Sequence, residues 1–169
     1  TDNLLHRRRQ LICISELADA GICTLLHLSA VMLADWSFWR DFLDAVPTVR
    51  YVAKEFQTGN KNRTEGRKAI DRLSGIQDQL KRSLHPVVIG AGQFVEELAS
   101  RFAMFTLIDS NPFTKAWQRK EFDLSAGKQP WRSRRLPKGT PIDDLLRHNV
   151  EAYSEWIEQR LRAGRGSHT

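Results

Sequence analysis

Cysteine is almost absent: Cys13 and Cys23 are the only two in 169 residues. Two cysteines cannot build a disulfide framework, nor by themselves the four-ligand set of a structural zinc site. Both stand in apolar surroundings and read as small buried residues, with a reducing cytoplasm as the expected compartment. Long apolar runs are missing too. None approaches the ~20 residues that span a bilayer, and the longest, Cys23 to Leu33, is broken by His27 and Ser29. Arg7-Arg8-Arg9 is followed by an amphipathic pattern rather than the short apolar core of a secretory signal. No internal repeat is visible. These absences point away from a disulfide scaffold, a membrane protein and a repeat array.

What is present is an ordinary core-forming composition, 41% hydrophobic and 27% charged, with a net charge of +6. That length buries a real core. The basic excess favours polyanionic partners, and it is unevenly placed. Lys128, Arg132, Arg134, Arg135 and Lys138 fall within eleven residues that contain no acid. Trp131 stands among them, beside Pro130, Pro137 and Gly139. This segment reads as a solvated basic loop or as a phosphate-contacting loop with a tryptophan for base stacking.

Hydrophobic periodicity alternates strands with helices. Residues 4–20 fit an amphipathic helix with Gly21 after it, and Ile22 to Val31 a strand apolar on both faces. Asp35 opens a helix to Ala45 that Pro47 follows. Val49 to Gln57 is a second strand, Arg63 to Arg82 a helix with Ala69, Ile70, Leu73, Ile76 and Leu80 inward, and Pro86 to Ile89 a third strand. Gln93 to Arg101 is a helix, Phe105 to Ile108 a strand, and Pro112 to Lys120 a short helix. Residues 123–140 read as the basic loop, and Pro141 opens a final helix to Leu161. The expected fold is α/β, with parallel strands alternating with helices as a small open sheet or a partial, half (β/α) barrel. One domain over 1–163 is expected, with a disordered tail at 164–169.

The richest stretch runs from His85 to Trp117. Val87-Val-Ile-Gly90-Ala-Gly92 is a strand entering a helix through two glycines, and Asp109 follows Gly90 by nineteen residues at the end of the next strand. Carboxyl ends of parallel strands are where such folds place their chemistry. A dinucleotide reading puts a phosphate on the helix N-terminus and Asp109 on a ribose. Its third glycine position is occupied by Val95. Asp109 also fits as the cap of the helix at Pro112.

The motif His85-Pro-Val-Val-Ile-Gly90-Ala91-Gly92, then Ile108-Asp109-Ser110, resembles the end of the barrel in the tRNA-guanine transglycosylase superfamily. The likeness is to its archaeosine-type branch and to the DNA 7-deazaguanine transglycosylases. Phe113-Thr-Lys-Ala-Trp117 and the His148-Asn149 start of a late helix are similar as well. The resemblance spans about residues 22–160, and these patches carry it. It implies a nucleobase-exchange enzyme whose aspartate at the Asp109 position attacks the sugar C1′ and displaces guanine. Gly90, Gly92 and Ser110 would then shape the pocket.

Three parts of the family pattern are missing. The second acid of the first half-barrel has no counterpart, and the Cys-x-Cys-x-x-Cys zinc cluster is absent. The Gly-Gly-Leu base-recognition turn is replaced by Lys54-Glu55-Phe56-Gln57-Thr58-Gly59. DNA rather than tRNA is therefore the expected substrate, with no metal and no cofactor. His148 would make an ordinary hydrogen bond. Lys54, Glu55 and Gln57 at a strand end are candidate base contacts. His27 is either a further ligand contact or a satisfied core histidine. Trp36, Phe38, Trp39 and Phe42 read as core or interface. A chain complete at these residues would need a homo- or hetero-oligomeric partner to complete the barrel and supply the other acid, or would be no active enzyme. The other readings are a Rossmann-like nucleotide-binding protein and a non-catalytic nucleic-acid-binding or assembly subunit.

Overall fold

Parallel strands need crossover connections, and the chain supplies a helix for each. The computed structural model describes residues 2–57, 62–127, 130–135, 137 and 139–166, with the side chains of 2 and 3 left aside. Four parallel strands are hydrogen-bonded in sequential order: β1 (Leu26–His27), β2 (Tyr51–Glu55), β3 (His85–Ile89) and β4 (Thr106–Ile108). The order never reverses, so these strands have no topological switch point, the crevice where doubly wound sheets bind nucleotides. Within the span read as one domain the chain forms two compact units: Thr1–Ile89 with Phe102–Thr106, and Gly90–Arg101 with Leu107–Thr169.

In the first unit, β2 and β3 pair over five residues, Tyr51 opposite His85 through Glu55 opposite Ile89. Val52, Val88 and Phe56 are completely buried there. The helix α3 (Arg63–Leu80) starts where Asn62 accepts the Thr64 amide. It buries Ala69, Ile70, Leu73 and Ile76 of the stripe read from the sequence and leaves Leu80 half-buried. The helix α2 (Leu33–Ala45) buries Trp36, Trp39 and Leu43.

The start of the chain departs from expectation. The helix α1 (Asp2–Asp19) buries Arg7 and leaves Leu4, Leu5, Ile12 and Leu17 exposed. Cys13 and Cys23 are exposed rather than buried. The cause is electrostatic: Arg7 forms an ion pair with the buried Asp35 of α2, which turns the Arg7 face of α1 inward. The first strand is also far shorter than Ile22 to Val31. After Leu28 donates to Ala53 O, the backbone leaves the ladder and is held by side chains instead. Leu28 O and Ala30 O accept from Lys54 Nζ, Ser29 O from Trp39 Nε1, and the amides of Val31 and Met32 donate to Asp35 Oδ2.

In the second unit, Gly90 (φ +71) donates to Ile108 O and leads through a 3-10 turn at Gly92–Phe94 into α4 (Val95–Arg101). After β4 come α5 (Asn111–Trp117) and α6 (Asp143–Gly166). The basic loop is partly ordered: β5 (Lys120–Phe122) pairs antiparallel with β6 (Trp131–Ser133). Alternation in these strands puts Phe122 and Trp131 on a core with Ala152, Tyr153, Trp156 and Ile157. Residues 164–166, expected to begin a disordered tail, continue α6 because Gly164 is buried against α4.

A Cβ on Gly164 would sit 2.5 Å from Glu96 O and 2.9 Å from Ala99 Cβ, so α4 and α6 meet backbone to backbone. Overpacking outweighs the gain in helix propensity. Gly164→Ala is expected to destabilise the protein by about 1–2 kcal/mol, read as a Tm lowered by roughly 2–6 °C. An unchanged or raised Tm would show that the two helices are free to part.

Candidate functional site

Asp109 is the first residue after β4, half-buried, and both of its carboxylate oxygens are engaged. Oδ1 accepts the Asn111 amide at 2.9 Å, which fixes the side chain at the start of α5. Oδ2 accepts the Tyr153 hydroxyl at 2.6 Å, from the middle of α6. A carboxylate offers about four lone-pair directions, so two remain for a ligand. The charge-assisted bond to tyrosine contributes about 1.5–3 kcal/mol.

Gly92 explains why this pair can form. A Cβ there would lie 1.8 Å from the Tyr153 hydroxyl oxygen and 2.8 Å from Asp109 Oδ2. The space over Gly92 is thus filled by the protein's own Tyr153–Asp109 pair. Phosphate approach to the glycine, and the substrate-pocket role expected of it, are displaced by this packing. Gly90 is a half-buried turn residue whose amide is consumed by Ile108 O.

Asp109 opens onto a cleft of about 510 Å³ lined by Leu107, Ser110, Phe113, Val150, Tyr153 and Glu158, among others. Its walls are mainly apolar, and its charged groups are the carboxylates of Asp109 and Glu158. Ser110 is exposed at the N-cap of α5, makes no capping bond with its side chain, and lines the cleft. Such a cleft suits a flat apolar body with hydrogen-bond donors on its edge, and it suits an anion poorly.

The other expected contacts belong to the first unit. Lys54 is buried, and burial lowers its pKa against the raising effect of Glu55 and Asp35. Its ammonium is spent on Leu28 O and Ala30 O, so it is a structural tie rather than a base contact. Glu55 is half-buried and Gln57 exposed. His27 is half-buried; burial, then the charge of Lys54, lowers its pKa, with Glu55 opposing. Its carbonyl accepts Gln10 Nε2 at 2.6 Å. His85, at the amino end of β3, bonds Thr106 Oγ1 at 2.8 Å, at the opposite end of the strand from the glycine turn.

The basic segment is altered most. Trp131 is half-buried, edge-on to Phe122 at 4.7 Å and stacked on Tyr153 at 6.1 Å, so it is occupied rather than available to a base. Arg132 pairs with Asp123 at 3.0 Å and Arg134 with Glu121 at 2.6 Å. Glu121 lies in β5 and Asp123 directly after it, both outside the acid-free window, and the hairpin brings them across. Arg135 is exposed, while Lys128 and Lys138 lie outside the described residues. His148 Nε2 donates to Phe122 O at 3.0 Å. Asn149, fully buried, accepts the Phe122 amide and donates to Lys120 O, joining α6 to the hairpin.

No family model, curated protein or solved structure matches this chain.

Sequence reasoning missed Tyr153 and Glu158 as site residues. Tyr153 falls four residues after Asn149 on the inward stripe of the last helix, a position that reads as core. Its pKa is pushed far above the ordinary tyrosine value, first by burial and then by the hydrogen bond to and the charge of Asp109, with Asn111 and Arg160 opposing. The hydroxyl therefore stays a donor at every working pH. A folded-state pKa above the unfolded value means stability that is present below about pH 10 and lost as pH rises beyond it. A spectrophotometric titration should show Tyr153 silent until alkaline unfolding. Tyr153→Phe should flatten the alkaline loss of stability. A Tyr153 hydroxyl that ionises near pH 10 in the folded state would refute the buried pair.

Gly92→Ala is expected to cost about 2–4 kcal/mol in denaturant unfolding, because the new methyl displaces the Tyr153 hydroxyl from Asp109. A loss below about 0.5 kcal/mol would show that the glycine is not required by the pair.

Proposed function

We propose that this chain carries the nucleophile of a nucleobase-exchange site acting on nucleic acid, DNA in preference to tRNA, and that its sheet is part of a (β/α) barrel completed by further structure. The observation that carries the reading is the fixed carboxylate of Asp109 at the carboxyl end of β4, on the wall of an apolar, acceptor-lined cleft. The likeness of Gly90-Ala91-Gly92 and Asp109-Ser110 to the transglycosylase motifs supplies the substrate class. The uninterrupted strand order agrees with one half of such a barrel.

In this reading a free lone pair of Asp109 attacks the sugar C1′. The C1′–N bond breaks, the base leaves with a proton added to its ring nitrogen, and a glycosyl ester forms on Asp109. A second base, deprotonated as it attacks, displaces the ester. Tyr153 holds the carboxylate and never exchanges its own proton. The negative charge of Asp109 favours the oxocarbenium-like transition state. Glu158, the other carboxylate of the cleft, is the group at hand for the proton transfers. Phe113 offers a ring to the base. A completing partner or further segment would supply the remaining phosphate contacts.

A Rossmann-like site is disfavoured on two counts. The strands show no order reversal, and the space over Gly92 is filled. A binding-subunit reading draws on one fact: Asp109 already has a structural task, accepting the Asn111 amide at the start of α5.

Exchange is measured with guanine-labelled DNA and a free 7-deazaguanine base. Asp109→Asn, which keeps an acceptor for Asn111, is expected to abolish label release, by about 10³-fold or more, with the fold retained. Denaturation during turnover should trap sugar on the Asp109 peptide by mass spectrometry. Glu158→Gln should slow release without removing the trapped ester. Label release that survives Asp109→Asn would sink the nucleophile assignment.

A further inference from the structure

Trp117 differs from the other four tryptophans of the chain. Trp36 has the cations of Lys54 and Arg72 over its ring, Trp39 packs on Phe38 and Phe42, and Trp131 and Trp156 pack on Phe122 and Tyr153. Trp117 has no ring or cation partner among the described residues and is 72% exposed. Its place in the second unit is set by α5. That helix buries Pro112 and Ala116, and its far side carries Phe113 (55% exposed) and Trp117 one turn apart. Phe113 lines the Asp109 cleft, and Trp117 follows it just outside the lining.

The backbone after Trp117 is pinned. Arg119 takes a left-handed conformation (φ +54), its amide donates to Ala116 O at 2.8 Å, and its guanidinium donates to Thr140 O at 3.0 Å. An indole has two side-chain torsions, so on a fixed backbone it loses little freedom when covered. The surroundings are cationic. From Ser110 to Lys120 the chain contains no acid. Arg134 N donates to Arg119 O at 2.9 Å, which sets the next residue, the exposed Arg135, beside the turn that follows Trp117. The nearest acid along the chain, Glu121, is paired with Arg134. A flat ring beside cations, one turn from the wall of the cleft, is complementary to a strand with flat bases and an anionic backbone.

We propose that Trp117 is the platform on which the nucleotide next to the exchanged one stacks, in a strand that is unpaired there, with Arg119 and Arg135 toward its phosphates. The platform rests on the nucleobase-exchange reading above and names the strand form it acts on. The rise from Phe113 to Trp117 is about 6 Å, against about 3.4 Å between stacked bases. The two rings therefore hold neighbouring bases apart, as chemistry on a base requires. Every base has a face to stack, so the platform sets no sequence. A lipid surface fits less well, because α5 has seven residues and buries one side, leaving two rings to insert. A second copy fits less well again, since two side chains cover a small part of the roughly 800 Å² that each partner of a stable complex buries.

The test uses the whole chain and a fluorescein-labelled single strand of DNA with one guanine, with binding followed by anisotropy. Wild type is expected to bind it with an affinity that falls as salt rises, and more tightly than the matching duplex. Trp117→Ala is expected to bind about tenfold more weakly, and Trp117→Phe, which keeps a ring, to recover most of the loss. An abasic residue on one side of the guanine should cost wild type about tenfold as well. It should cost Trp117→Ala nothing further, because both changes remove the same stack. Arg135→Gln should lower the slope of log affinity against log salt by about one; an unchanged slope overturns the phosphate contact. Both positions are surface-exposed, and circular dichroism checks the fold. Trp117→Ala binding as wild type does, an abasic penalty that it keeps in full, or tighter binding of the duplex overturns the platform, and guanine release by the same protein then leaves the exchange reading standing. The expected binding pattern without any guanine release keeps the platform as a single-strand contact and sinks the exchange reading. No binding of any DNA by wild type overturns both. Sedimentation with phosphatidylglycerol vesicles, or self-association, that Trp117→Ala abolishes while DNA binding is unchanged assigns the ring to that partner and overturns the platform.

Discussion

The hydrogen bond from Tyr153 to Asp109 is the constraint on which the second unit is arranged. It joins residues 44 apart, from the end of a strand and the middle of the last helix. It holds only if nothing stands above Gly92. Around it the unit closes: α6 meets α4 at Gly164, Asn149 joins α6 to the hairpin, and the aromatic cluster of Phe122, Trp131, Tyr153 and Trp156 fills the remaining space. A carboxylate fixed in this way needs no further ordering when a ligand arrives. The same tyrosine that orients the group also forms part of the core, so the geometry of the site and the stability of the unit share one side chain.

The first unit solves a different problem by similar means. Its first strand makes only a short ladder, and the backbone beyond it would carry unpaired groups. Buried ionic side chains take the place of the missing strand partners. Asp35 shows the balance of forces. Burial would raise its pKa, but two backbone amides and the Arg7 guanidinium lower it below the ordinary carboxylate value. Its contribution to stability is therefore present above about pH 4 and fails only as acid drives the pH down through that lowered value. Lys54 is the opposite case, a cation whose burial is disfavoured and which is retained for the two carbonyls it holds.

Much of the architecture was legible because it rests on local rules. The stripe of Ala69, Ile70, Leu73 and Ile76 and the glycine after α1 at Gly21 require only knowledge of neighbours along the chain. Strand–helix alternation gave the parallel sheet for the same reason. The errors cluster where a distant partner decides. Leucines on α1 are exposed because an aspartate 28 residues away takes the arginine between them. Ile22 to Val31 looks like a strand because apolarity on both faces cannot tell a ladder from a segment tied by side chains. The acid-free window from Lys128 to Lys138 looked open to phosphate until pairing brought Glu121 and Asp123 across. At the site, strand-end position singled out Asp109, but Tyr153 was hidden within an ordinary helical core pattern.

Gly92 also sets an order on how this protein can change over evolutionary time. While position 153 keeps its hydroxyl against the glycine, every other residue at position 92 meets an occupied space, so the neutral path there is closed. Loss of the hydroxyl must come first, and that step loosens the carboxylate before anything is gained. The two positions, far apart in the chain, are thereby historically bound: a lineage that diverges at one is expected to have diverged at the other, and an intermediate with only the glycine replaced is the form least able to persist.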